Sequence, residues 1–230
     1  MLQKIFYNKL LLFIEFLITI PFMYYAYQNI TVLKKGGIIM IPLCYALLVG
    51  IIIFIERGLY LKVIVSNMQK LLSKVDGLMK ENKIDEIKKI CENYPSPVSS
   101  IINTAIDYRD CDESKIKEMI EELGYFEIHK LHINLDYLAL VAKISPLLGL
   151  LGTVTGLLTS FNQMLKTSGN ISATVFAGGI SEALLTTIFG LSIAIPALVI
   201  HQYLSSKISN IVHQMEKTAS LIVINLKSKK

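Results

Sequence analysis

TVFAGGISEALLTTIFGLSIAIPALVI, residues 174–200, carries a single ionisable side chain, Glu182, in an otherwise uncharged and mostly apolar run. A hydrocarbon core of ~30 Å needs about 20 helical residues to cross it. The stretch therefore reads as a membrane-spanning helix. A charge at mid-bilayer costs about 2.5–3.5 kcal/mol even on the lenient insertion scale. Such a group faces a protein interior or a watery path, and by default it marks an ion or proton route.

The rest of the chain fits that reading. Of 230 residues, 53% are hydrophobic and 18% charged, and the mean hydropathy is +0.52. These values suit a polytopic membrane protein better than an ordinary globular domain. Four apolar segments stand out: 10–27 with Glu15 and Pro21, 38–55 with Pro42, 137–165 with Lys143 and Pro146 breaking it near its start, and 174–204 with Glu182 and Pro196. The second only just spans. The third and fourth are longer than a bilayer needs and should project beyond it as helix.

Charge sets the orientation. Residues 57–134 carry twelve Lys/Arg and thirteen Asp/Glu, whereas 166–172 hold only Lys166. Five lysines (Lys207, Lys217, Lys227, Lys229, Lys230) against Glu216 follow the last apolar run. The positive-inside rule puts the long loop and the tail in the cytoplasm and the short turn outside. The net charge of +5 is thus a membrane flank, with lipid contact possible and nucleic-acid binding not expected. Lys4 and Lys9 before residues 10–27 resemble the start of a secretory signal, but Glu15 and the tyrosines Tyr24 and Tyr25 argue against cleavage. A retained extra helix is favoured. The expected organisation is an N-terminal apolar segment (1–35), a transmembrane helix (36–56), a cytoplasmic helical loop (57–134), a transmembrane helix (135–165), an external turn (166–173), a transmembrane helix (174–204) and a cytoplasmic basic tail (205–230).

The loop reads as helical throughout, which makes the fold class all-α: a polytopic membrane protein whose long transmembrane helices extend into a helical cytoplasmic domain. Leu61, Ile64, Val65, Met68, Leu71, Leu72, Val75 and Leu78 recur at helical spacing. Ile84, Ile87, Ile90 and Cys91 form a second stripe, and Pro95-Ser96-Pro97 then breaks the chain. Another helix starts near Val98 and stops at 109–112. Ser114 is the expected N-cap of the next, which leads toward the third apolar segment without a strong break.

Residues 145–160 have a directional pattern. Ser145, Gly149, Gly152, Gly156, Thr159 and Ser160 share about a quarter of the helix circumference, with Thr153 at its edge. In the fourth segment Gly178, Gly179, Glu182, Thr186 and Gly190 lie near one side, with Ala183, Thr187 and Ala194 beside them. Small residues let membrane helices approach closely. Helix packing accounts for most of the glycines, but packing gains nothing from a carboxylate. The threonine hydroxyls both donate and accept, as a proton wire requires, although a threonine can equally bond its own helix.

At these residues the chain resembles the MotA/TolQ/ExbB proton-channel family. SPLLGLLGTVTGL (145–157), GISEALLTTIFGL (179–191) and AIPA (194–197) carry the resemblance, with the preceding helix at 36–61. Glu182-Ala183-Leu184 favours the ExbB/TolQ branch over flagellar MotA. The resemblance implies a bacterial inner-membrane, multi-pass subunit that forms a ring, commonly a pentamer, around an ExbD/TolR-like single-span partner. It implies that proton motive force does work on a TonB- or TolA-like protein. Matched position by position, Thr153, Glu182 and Thr187 fall on the proton pathway and Pro196 on the kink, while Gly149, Gly152 and Gly156 are read from their spacing as helix packing, with Pro146 beside them. The segment before residue 36 departs from the usual three-helix plan, so ExbB versus TolQ stays open.

No Gly-rich phosphate loop ending in Gly-Lys-Ser/Thr occurs, so neither an enzyme nor an ATP-driven machine is expected. His129 and His132 have the spacing of a helix-face metal pair but no evident further ligand, and no metal or other cofactor is expected. Cys44, Cys91 and Cys111 are unpatterned and read as reduced thiols. The alternatives are a MotA-like flagellar stator subunit, or a membrane scaffold or transporter without a proton role. A transporter would want inverted repeats, and none is seen. A cysteine placed at Gly169 should react with an impermeant thiol reagent added to intact cells whose outer membrane has been made porous. Labelling only after the inner membrane is broken would reverse the orientation.

Overall fold

The structure, a computed structural model, describes residues 35–81, 83–166 and 173–227. Every regular element among them is an α-helix: α1 (Met40–Glu81), α2 (Ile84–Asn93), α3 (Pro97–Asp107), α4 (Glu113–His132), α5 (Leu135–Lys166) and α6 (Ala173–Lys227). Helices α1, α5 and α6 are long and apolar enough to cross a membrane. The expected extra helix within residues 1–34 and the turn at 167–172 lie outside the described residues. With 55 residues, α6 runs for about 80 Å at 1.5 Å per residue, so a ~30 Å core covers less than half of it.

The chain divides into two units, Met1–Phe54 with Tyr137–Ile200, and Ile55–Asp136 with His201–Lys230. In the first, Met40, Leu43, Ala46 and Ile53 of α1, Leu138, Val141 and Ala142 of α5, and Ala183, Ile193, Ala194 and Ala197 of α6 are buried. At Gly50 α1 lies against α5, where an added Cβ would make ordinary contact with Val141 at 3.6 Å.

The second unit is built on α3, which packs on both α2 and α4. Its Val98, Ile101, Ile102, Ala105 and Ile106 are buried. Pro97 opens the helix, where a missing N–H costs nothing. Ser96 and Ser99 close a reciprocal cap, the Ser99 amide donating to Ser96 Oγ at 3.2 Å and the Ser96 amide to Ser99 Oγ at 2.8 Å. The 59–79 stripe of α1 faces inward as expected, with Leu61, Ile64, Met68, Leu71 and Val75 buried. Burial, with Glu92 adding, pushes the Cys91 thiol up to about 11, which leaves it protonated and unreactive near neutral pH.

Arg57, only 4% exposed, ties α1 to the end of α4. Its Nη1 donates to the Lys130 carbonyl at 3.4 Å, its Nε lies 3.0 Å from Glu56 Oε2, and its guanidinium sits 5.1 Å from the Tyr60 ring centroid. A buried guanidinium needs such partners because an unpaired one is costly. Asn134 Nδ2 donates to the same Glu56 carboxylate at 3.1 Å.

Several expectations are corrected. The N-cap of α4 is Asp112, with ψ 153, and not Ser114, which falls in the first turn. Glu113 already lies in the helix and complements its positive end. The passage from α4 to the third apolar segment does break, at Ile133 and Asn134. Asn134 has φ 65, a left-handed conformation that asparagine tolerates better than most residues. Conversely, Lys143 and Pro146 do not interrupt α5, and Pro196 lies within α6. A proline removes one backbone bond, and neighbouring helices can re-satisfy the freed carbonyl. The basic tail is helical as far as Lys227. Leu204, Ile208, Ile211, Met215, Thr218 and Ile222 recur at alternating four- and three-residue steps and are buried, the seam of a coiled-coil-like helix face.

Ile208 and Ile211 are fully buried. Ile208→Ala should therefore lower stability by about 2–5 kcal/mol, the usual cost of truncating a core aliphatic side chain. Denaturant unfolding of the purified protein in detergent would show this, whereas the exposed Ser209→Ala should leave the midpoint unchanged.

Candidate functional site at the α5–α6 seam

Small residues on α5 and α6 meet directly within one protomer. A Cβ added to Gly190 would lie 2.5 Å from the Ser145 carbonyl oxygen and 3.1 Å from Gly149 Cα. One added to Gly149 would lie 3.0 Å from the Thr186 carbonyl oxygen and 3.1 Å from Thr187 Cα. At Gly156 it would meet Ala183 Cβ at 3.1 Å and the Gly179 carbonyl at 3.2 Å, at Gly152 the Thr186 side chain, and at Gly179 the Ser160 hydroxyl. The glycine face of 145–160 is thus occupied by α6. Ser145, Ser160 and Thr186 are buried in the seam at 0%, 2% and 1% exposure. Gly178 stands apart, with nothing within 4 Å of its would-be Cβ.

The seam is also hydrogen-bonded. Thr187 Oγ1 donates to the Gly149 carbonyl of α5 at 3.1 Å. Thr186 Oγ1 bonds the Ala183 carbonyl of its own helix at 2.7 Å and reaches the same Gly149 oxygen at 3.4 Å. Thr153, by contrast, bonds back to Leu150 O at 2.6 Å. Ser145 and Ser160 likewise bond their own helix, to Val141 O at 2.7 Å and Gly156 O at 3.1 Å.

Glu182 lies on the flank of this seam. At 3.6 residues per turn it is about 80° around α6 from the middle of the face formed by Gly179, Ala183, Thr186, Thr187 and Gly190. Half-buried, its carboxylate occupies the space beside Gly37, where a Cβ would overlap Oε1 and lie 2.9 Å from Cδ. No hydrogen bond joins Thr153, Glu182 and Thr187 to one another among the described residues. Pro146 follows buried Ser145 in α5, and Pro196 precedes buried Ala197 in α6. Sequence reasoning placed Thr186 on the small-residue face but did not single it out as a buried hydroxyl of the seam. It also missed the approach of Gly37 to Glu182, a contact between distant chain positions that no local pattern announces.

The remaining surface of these helices is apolar and outward. Leu147, Leu150, Val154 and Leu158 of α5, and Leu184, Ile188, Ile195 and Leu198 of α6, are all more than half exposed. Together with the three span-length helices, this surface defines a multi-pass membrane protein with a polar, glycine-lined helix seam. Residues 93–217 match the MotA/TolQ/ExbB proton channel family. The chain is 32% identical over 164 residues to the biopolymer transport protein ExbB-like 3 of Synechocystis sp., covering 71% of this chain and 78% of that protein. It is 27% identical over 207 residues to the biopolymer transport protein ExbB of Pseudomonas putida, covering 86% of this chain and 61% of that one. Over 81 residues it is 42% identical to the Tol-Pal system protein TolQ of Pseudomonas aeruginosa, 35% of each chain. The chain belongs to the MotA/TolQ/ExbB proton channel family, in its ExbB/TolQ-like branch.

The seam makes a differential prediction. Alanine is favoured over glycine in helices by about 1 kcal/mol, so Gly178→Ala should be neutral or slightly stabilising. Gly190→Ala should instead destabilise by about 1–3 kcal/mol, the usual penalty of overpacking, because the new methyl meets backbone that cannot step aside. Thermal unfolding of both variants in the same detergent checks the contrast; equal midpoints would mean that the two helices can separate freely here.

Proposed function

We propose that this chain is the ExbB/TolQ-like subunit of a proton-motive-force-driven motor in the bacterial inner membrane, energising TonB- or Tol-type envelope transport. Its partners are further copies of itself in a ring, a pentamer on the family pattern, an ExbD/TolR-like single-span protein, and a TonB- or TolA-like protein that receives the work. The 57–134 loop and the tail face the cytoplasm. The chain acts as a channel subunit and not as an enzyme, and needs no cofactor.

The observation that carries the reading is Glu182. It is the sole ionisable group of the 174–200 run, and it sits beside a seam of small and hydroxyl side chains, with no salt bridge to it among the described residues. The outward apolar faces of α5 and α6 support burial against lipid and neighbouring subunits. Glu182 takes and releases the proton, Thr187 and Thr153 supply hydroxyl relays, and water fills the gaps between the three groups. A proton moving through 100 mV yields ~2.3 kcal/mol, more than the ~1 kcal/mol net value of one seam hydrogen bond. Each proton can therefore bias one helix packing against another.

Glutamine in place of Glu182 keeps the shape and hydrogen bonding but cannot titrate. Glu182→Gln, co-expressed with its membrane partner and reconstituted in vesicles, should insert and assemble at normal yield yet lose at least about 90% of proton flux, a barrier increase of about 1.4 kcal/mol. Thr153→Val and Thr187→Val should be milder, since water can replace a hydroxyl. Full flux in Glu182→Gln would reject the titrating role and leave a scaffold.

A further inference from the structure

We infer that Gly37 is the positioning residue for the Glu182 carboxylate: the missing side chain at position 37 is the space in which that carboxylate rests. The inference deepens the proton-pathway reading of Glu182 and rests on it for its functional consequence. Its geometric basis is independent.

Two separate features require glycine at this point. Gly37 has φ +68, in the left-handed region where glycine pays no Cβ penalty. There the chain makes the turn that starts α1, with the Met40 amide donating to the Gly37 carbonyl at 3.2 Å and Ile41 to Ile38 at 3.2 Å. The space above the same Cα is taken by the head of Glu182, with Oε1 overlapping the would-be Cβ, Cδ 2.9 Å away and Cγ 3.6 Å away. A side chain here meets a strained backbone and also expels the carboxylate. Neighbouring Gly36 shares neither property with respect to Glu182. Its φ is not positive, and the atoms nearest a Cβ there belong to the flexible Met40 side chain and not to Glu182. The turn before α1 thus holds the proton-accepting group of α6 from one side, while the glycine seam sets the rotation of α6 from the other.

The consequence is that position 37 sets the solvation of Glu182 and hence how readily it exchanges a proton. The test uses the full chain in proteoliposomes with 13C-labelled glutamate, the Glu182 carboxyl resonance being assigned by its loss in Glu182→Gln. Gly37→Ala and Gly37→Asn should both shift that resonance, while Gly36→Ala should not. Asparagine tolerates positive φ, so it retains the contact while relieving the strain, and it serves if the alanine variant does not fold. A resonance unmoved in Gly37→Asn would overturn the inference, because strain alone would then account for glycine. A shift of equal size in Gly36→Ala would overturn it too, since any disturbance of the turn would then suffice. In the complex with its membrane partner, Gly37→Asn should lower proton flux about tenfold. Full flux in Glu182→Gln would fail the proton reading while the resonance still decides the positioning. A dead Glu182→Gln with an unmoved Gly37→Asn resonance would fail the positioning alone.

Discussion

The backbone-to-backbone approach of α5 and α6 at Gly149 and Gly190 is the constraint on which the site depends. Lipid tails are as apolar as leucine, so helices in a bilayer gain little from hydrophobic burial and associate through close packing and hydrogen bonds. Gly149 and Gly190 bring main chains within reach of each other, and the bare Gly149 carbonyl then becomes an acceptor for Thr187 of the facing helix, at 3.1 Å. A side chain at either glycine would push the helices apart and strand that hydroxyl. The close packing makes the hydrogen bond possible here, because it brings the Gly149 carbonyl within reach of Thr187.

Fixing the rotation of α6 has two further effects. It turns Leu184, Ile188, Ile195 and Leu198 outward, where they are between 57% and 62% exposed. It also leaves Glu182 on the flank, neither in the dry seam nor on the lipid-facing side. In the seam a carboxylate would meet backbone carbonyls, which only accept, and hydroxyls whose protons already go to such carbonyls. On the lipid face it would meet the full insertion penalty. The flank, with the bare backbone of Gly37 beside it, avoids both.

Much of this was legible in the sequence, and what was not has identifiable causes. The stripe from Leu61 to Val75 and the break at Pro95–Pro97 follow from local periodicity and proline chemistry, and the structure repeats them. The small-residue faces were legible as faces, but spacing does not say what covers a face. Gly152 and Gly156 look inward to α6 of the same protomer, whereas their spacing alone would equally suit contact with another subunit. The tail was read by its lysines, which hid the Leu204–Ile208–Ile211–Met215 spacing that makes it helix. Asn134 ends one helix and separates it from the next by a single left-handed residue, too small a signal to outweigh an apolar pattern on both sides. The contact of Gly37 with Glu182 depends on tertiary placement and leaves no periodic trace.

The two threonines of the proposed pathway are not equivalent. Thr153 spends its proton on Leu150 O, three residues back in its own helix. Exchanging that bond for one to water costs about 1 kcal/mol or less, and the packing of α5 on α6 is untouched. Thr187 spends its proton on Gly149 across the seam. A hydroxyl that hands its proton onward must turn away from its present acceptor, so a proton moving past Thr187 loosens the bond that holds the helices together. The ~2.3 kcal/mol released per 100 mV exceeds that bond's net value. On the proposed pathway, Thr153 would therefore conduct and Thr187 would couple conduction to helix packing. The distinction follows from which carbonyl each hydroxyl bonds and not from the residue type, which is the same.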